Sequence, residues 1–264
     1  MISGIELNEY SKIIDDCRTL VSKIIIREEI SFSYCIFQLY CKSLLTMCEI
    51  YTLLLNGYPE GAMALSRNLY EALVIMSYLY DHKSDQELIE RFVCDYDVRT
   101  CQDEIRYLNW CIDNSIANDD TLNKLDQRMM EFNELCEKYK NFCTTKSKGP
   151  FFSQYWWAGE RMSFSKLREA AGFSDDTFYN ISCYRVHAGI AGSLIKFDDY
   201  DDRVLIGACE NGREIPMIFS LMSFQTMTYL FFGINNIACT DILESIDQLM
   251  KKARNSRLEY EFSD

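Results

Sequence analysis

Apolar residues return at helical spacing along most of this 264-residue chain. Between Glu6 and Glu28, Ile13, Leu20, Val21 and Ile24 recur with charges between them, which predicts a first amphipathic helix. Ser31 to Leu55 predicts a second, more apolar helix, stopped by Asn56-Gly57 with Pro59 beyond. Pro59 or Glu60 opens a third that runs to about Tyr80. Asp81 to Lys83 break it, and Ser84 with Glu87 three residues on reads as a capping box. That box starts a long fourth helix, Asp85 to about Asn114, and a polar break precedes a fifth from about Thr121 to Phe142.

The pattern is less regular beyond this point. Thr144 to Gly159 holds Gly149-Pro150 and an aromatic cluster of Phe151, Phe152, Tyr155, Trp156 and Trp157. Ser163 opens a short helix ending near Gly172, and Ser174 caps another that reaches about His187. Residues 188–193 are rich in small side chains, 198–202 form an acidic loop, and 203–215 suggest a small β-hairpin around Asn211-Gly212. Pro216 opens a long apolar helix to about Ile237, Thr240 caps a last one, and the acidic tail from Glu259 reads as loose. With no internal repeat, the expected fold is all-α: one multi-helix bundle over residues 1–264, with the C-terminal helices 216–254 packed on the rest.

Composition sharpens this picture. Only 3 prolines and 11 glycines occur, which favours long helices over a many-turned β fold. The net charge of -13 works against nonspecific attraction to nucleic acid or anionic lipid. One weakly basic stretch, Lys138 to Lys148, reads as a solvated loop flank. The 12 cysteines sit singly with no Cys-x-x-Cys, and there are two histidines, so no structural metal is expected. There is no Gly-rich phosphate loop or nucleophile elbow, so no cofactor is expected either. The start of the chain has no basic-then-apolar leader, which predicts a reducing, cytoplasmic location with free thiols. No membrane span is expected, because the best apolar stretch, Met217 to Ile237, is interrupted by Ser220, Ser223, Gln225, Thr226 and Thr228.

Polar residues inside apolar helices carry the candidate chemistry. The third helix is apolar nearly all round, yet it holds Arg67 and Glu71. Their spacing of four places both on one face. Buried charges need partners, so they pair with each other or through a network. That network is either a device fixing helix register or one wall of a polar pocket. A second stripe, Tyr179, Ser182, Cys183, Val186 and His187, follows offsets of 0, 3, 4, 7 and 8. It places a phenol, a hydroxyl and an imidazole together, with His187 near a helix C-terminus that favours its charged form. The plainer reading of His187 is a capping or core histidine. His82, in a charged helix break, reads as a surface residue. Arg91, Asp95 and Arg99, each four apart, read as an ion-pair ladder at the surface, and the aromatic cluster as a loop packed over the bundle.

These runs are familiar in combination. Ala64-Leu-Ser-Arg67-Asn-Leu-Tyr-Glu71, then Arg91-Phe…Asp95-Tyr, then Tyr179-Asn-Ile-Ser182…His187 resemble a bacterial helical family of unknown function over about residues 30–200. The resemblance implies that Arg67, Glu71, Tyr179, Ser182 and His187 meet at one place. More remotely the chain is similar to the HEPN superfamily of helical bundles. That similarity implies a homodimer, an RNA or nucleotide ligand, and a metal-independent endoribonuclease in antiphage or toxin-type defence, with a protein partner from the same operon. It departs from the HEPN motif of Arg, four to six residues, then His, because Arg185 and His187 are two apart. A continuous helix points those two about 200° apart. A catalytic arginine would then have to be Arg67. The alternative is a non-catalytic interaction or sensor module in which the polar cluster is structural.

Overall fold

The structure, a computed structural model, describes residues 4–25, 30–146, 149–174 and 212–261, together with Thr177, Tyr179, Asn180, Cys183, Lys196, Phe197, Val204, Leu205 and Ala208. Ser182, His187, the small-residue stretch 188–193 and the acidic loop 198–202 lie outside them. The fold is all-α. Helices α1 (Gly4–Val21), α2 (Phe32–Leu55) and α3 (Pro59–Asp81) are followed by α4 (Gln86–Asp113) and α5 (Asp119–Lys138). Then come α6 (Phe164–Ala170), α7 (Glu214–Ile234) and α8 (Thr240–Glu261).

Local chemistry accounts for the boundaries. Ser31 accepts a hydrogen bond from the Tyr34 N–H at the start of α2. Gly57, at φ 80°, supplies the left-handed turn after α2, and Pro59 sits in the first turn of α3. The cap of α4 is Asp85 rather than Ser84: its carboxylate accepts from the Leu88 N–H at 2.9 Å. Asn118 and Thr121 form a reciprocal capping box at α5. Two short antiparallel pairs lie among the described residues. Strand β1 (Cys143–Lys146) pairs with β2 (Gly149–Phe152), in a segment with no strand signal of its own. Strand β3 (Lys196–Phe197) pairs with β4 (Val204–Leu205). The hairpin strand expected near 203–215 therefore finds its partner upstream rather than across Gly212, and Glu214 is already helical.

Helices α1, α2, α3, α7 and α8 pack in a closed ring, each against the next, with α2 also touching α7. Helix α6 lies on α3, and α5 rests on α4. At the centre, Tyr40 stacks on Phe231 with ring centroids 4.1 Å apart. Its hydroxyl shares a 3.0 Å hydrogen bond with Thr228 Oγ1, and Tyr10 does the same with Ser220 Oγ at 2.8 Å. Among the described residues α7 is the one helix long and apolar enough to cross a membrane, with mean hydropathy 1.4 and 56% of the stretch buried. The hydroxyls that interrupt it are uncharged and carry little hydropathy penalty, so it qualifies by length and composition alone. Here Ser220 and Thr228 face phenols of the core instead.

The Arg91–Asp95–Arg99 series is not a surface ladder. Arg99 Nη2 lies 3.1 Å from Asp95 and donates to the Ser153 and Gln154 carbonyls, while Arg91 Nε donates to the Trp157 carbonyl at 3.0 Å. Trp156 Nε1 donates to Asp95 Oδ1, so α4 clamps the aromatic segment through main-chain oxygens and one indole. The segment itself is core: Phe152 and Trp156 are fully buried and Trp157 nearly so. His82 is half-buried rather than exposed. Its ring stacks on Tyr78 and its Nδ1–H donates to the Tyr78 carbonyl at 2.8 Å, closing the end of α3.

Two outcomes follow from these contacts. Tyr40→Phe removes the phenol hydroxyl that pairs with Thr228 and is expected to lower stability by about 1 kcal/mol in chemical denaturation. Adding Thr228→Val should recover part of that loss, because both polar groups are then gone. Burial raises the Asp95 pKa, and Arg99 and Trp156 only partly oppose it. In the window above the ordinary carboxylate value, folded Asp95 therefore binds a proton that the unfolded chain does not. Its contribution to stability grows as pH falls through that window and is lost as pH rises. Melting curves of the parent minus Asp95→Asn should show this slope, and a flat difference would contradict it.

Candidate functional site

Helix α3 positions the site. Ala62, Ser66, Leu69, Leu73, Val74 and Met76 are buried against its neighbours, and the Ser66 hydroxyl donates to both the Ala62 and Pro216 carbonyls. This packing fixes the rotation of α3 and turns Arg67 and Glu71 to one side. Their side chains are 19% and 22% exposed, and Arg67 Nη2 lies 3.1 Å from Glu71 Oε1. The same nitrogen donates to the Tyr179 hydroxyl at 2.9 Å. The guanidinium carbon also lies 4.9 Å from the centroid of the Tyr179 ring, a cation–π distance. Burial works against the charge on Arg67, but Glu71 and Tyr179 outweigh it and its pKa is raised. Arg67 is a fixed cation. Its Nε is buried and has no hydrogen-bond partner among the described residues.

Aromatic rings form the surroundings. Tyr70, one turn along α3, meets Phe173 edge-on at 5.9 Å and tilts against Tyr179 at 6.3 Å. Phe164 packs on Tyr179 at 4.8 Å and on Tyr155 at 5.9 Å. Burial raises the Tyr155 phenol's pKa, with Glu71 and Tyr179 adding to the shift. The Tyr179 phenol is raised by burial as well, although Arg67 pulls the other way. The Cys183 thiol hydrogen-bonds to Tyr179 and so stands beside it. Both phenols are therefore neutral hydroxyls that can donate or accept.

Three of the expected residues, Arg67, Glu71 and Tyr179, are thus brought together across 112 positions of sequence. Ser182 and His187 lie outside the described residues. Asp95 is not part of the site: from α4 it faces Arg99 of the same helix and Trp156 of the aromatic segment. Tyr155 and Phe164 were not singled out as site residues. Tyr155 sits in an aromatic run that reads as packing, and no short-range spacing links it to Arg67. Among the described residues, no three His, Cys, Asp or Glu side chains are grouped to hold a metal ion.

The network's strength can be read by truncation. Arg67→Ala leaves a Glu71 carboxylate that is four-fifths out of solvent without its cation. A loss of about 2 kcal/mol is expected, between the values for exposed and fully buried pairs. Arg67→Ala with Glu71→Gln should be more stable than Arg67→Ala alone. Thermal melts that place the double variant below the single would rule out this coupling.

No curated protein and no solved structure matches the chain. Residues 34–203 match the family of unknown function DUF5677, a span that takes in most of α2, all of α3 to α6 and every residue of the Arg67 cluster. By that match the chain belongs to the DUF5677 family.

Proposed function

We propose that the chain is a HEPN-like effector, a metal-independent endoribonuclease of bacterial antiphage or toxin-type defence, with its chemistry centred on Arg67. One observation carries the reading. Arg67 is a permanent cation held on one nitrogen by Glu71 and Tyr179, with its Nε unmatched among the described residues and aromatic rings around it. A partly exposed guanidinium braced by a carboxylate and a phenol suits a phosphate oxygen. Arg67 stabilises charge developing on the phosphate, and Glu71 orients Arg67. His187 is the general acid/base acting on a ribose 2′-hydroxyl or the leaving oxygen, with Tyr179 and Ser182 completing the hydrogen-bond network.

The test is cleavage of RNA by the pure protein in EDTA. His187→Ala and Arg67→Ala are each expected to lower the rate by about a hundredfold or more. Tyr179→Phe, which keeps the ring and loses the hydroxyl, is expected to have a smaller effect. Equal cleavage by parent and both alanine variants would overturn the role assignments.

A second reading is a non-catalytic interaction or sensor module. It is favoured by the way the Arg67–Tyr179 contact ties α3 to the segment after α6, as a structural bolt would. In that case the alanine variants lose stability and no RNA is cut by any of the proteins.

A further inference from the structure

Helices α4 and α5 present a surface unlike the rest of the molecule. Of the fifteen large apolar side chains left exposed among the described residues, seven lie between residues 86 and 138. Tyr96, Tyr107 and Trp110 are 76%, 62% and 54% exposed. With Thr100 and Asp103 they follow steps of four, three, four and three residues, so they form one stripe along α4. The stripe is about 21 Å long at the helical rise, or about four turns. Tyr107 and Trp110 stack on each other with centroids 6.2 Å apart.

Beside the stripe, between α4 and α5, lies a groove of about 320 Å³ lined by Asp97, Thr100, Arg128, Glu131, Glu134 and Leu135, among others. Thr100 belongs to both stripe and groove. The Arg128 guanidinium is occupied by Glu104 and Glu131. Lys138, also at the groove, lies over the Tyr139 ring. Asp97 and Glu134 are exposed and make no ion pair among the described residues.

Charge selects the occupant. Residues 86–138 hold thirteen acidic and six basic side chains, a net -7 out of the whole chain's -13. A second copy would bring the same -7 against this face, and nucleic acid or anionic lipid would be repelled as well. A segment with apolar residues on one side and lysines or arginines at the flanks matches both features. Its apolar side covers Tyr96, Tyr107 and Trp110, its cations reach Asp97 and Glu134, and a guanidinium or ammonium over the exposed rings adds a cation–π contribution. We propose that this face of α4 and α5 docks a basic amphipathic helix of a partner protein. The surface is on other elements than Arg67 and does not rest on the ribonuclease reading.

The probe is a fluorescein-labelled amphipathic Leu/Lys peptide of about 18 residues, titrated with the full chain and followed by anisotropy. Its Leu/Glu counterpart is the control. Saturable binding of the Lys peptide alone is expected, weakened about tenfold or more by Tyr107→Ala with Trp110→Ala. Asp97→Lys with Glu134→Lys should weaken it comparably, while Tyr229→Ala, exposed on α7, leaves it unchanged. These side chains are exposed, so the variants should fold, and circular dichroism melts confirm it. Binding that ignores the Tyr107/Trp110 variant, or equal binding of the Leu/Glu peptide, overturns the proposal. So does sedimentation showing a parent dimer that the same variant turns into monomer, because a second copy then covers the stripe.

Discussion

A helix enclosed by other helices must satisfy its polar atoms inside the protein, and this constraint governs α3 and α7. Water cannot solvate a buried hydroxyl or guanidinium, so each one left unmatched subtracts from a small net stability. Helix α7 meets the constraint by aiming Ser220 and Thr228 at the phenols of Tyr10 and Tyr40. Helix α3 meets it at Ser66 with two carbonyls, one of them Pro216 of α7. These contacts tie α1, α2 and α3 to α7 at fixed rotations, while the stacked rings around Tyr40 supply the apolar burial.

Arg67 and Glu71 are where the same constraint is met only in part. Once the packing of Ser66, Leu69 and Leu73 has set the rotation of α3, these two charges face Tyr179 and Phe164 rather than the middle of the ring of helices. Glu71 and Tyr179 together offset the desolvation of the guanidinium, and its Nε remains unmatched among the described residues. The arginines of α4 illustrate the contrast. Arg91 and Arg99 spend their donors on main-chain carbonyls of the aromatic segment and act as fasteners.

Several features were legible from spacing alone. The apolar periodicity of α2 and α3, the stop at Asn56-Gly57-Pro59 and the cap at Ser163 depend on residues within a few positions of one another, and each appears where the pattern places it. The pairing of Arg67 with Glu71 follows from one helical turn. The meeting of Arg67 with Tyr179 does not, since 112 positions separate them, and it came into view through a resemblance covering both runs. Three features escaped. Strand β1 carries little alternation, His82 lies in a charged break that gives no hint of Tyr78 stacking over it, and Tyr155 sits in an aromatic run that reads only as packing.

The chain's own sequence determined that it is helical, where most helices begin and end, and which charged residues sit in apolar surroundings, because all of these are set by neighbours in the chain. Tertiary structure decided what those charges do. Arg67 became a cation held by Glu71 and Tyr179, with its Nε unmatched among the described residues, whereas Arg91 and Arg99, which share its four-residue spacing to an acid, became clamps on the carbonyls of Ser153, Gln154 and Trp157. Local spacing places an arginine next to a carboxylate. Only the packing of distant segments determines whether its remaining donors meet a main-chain oxygen or are left unmatched.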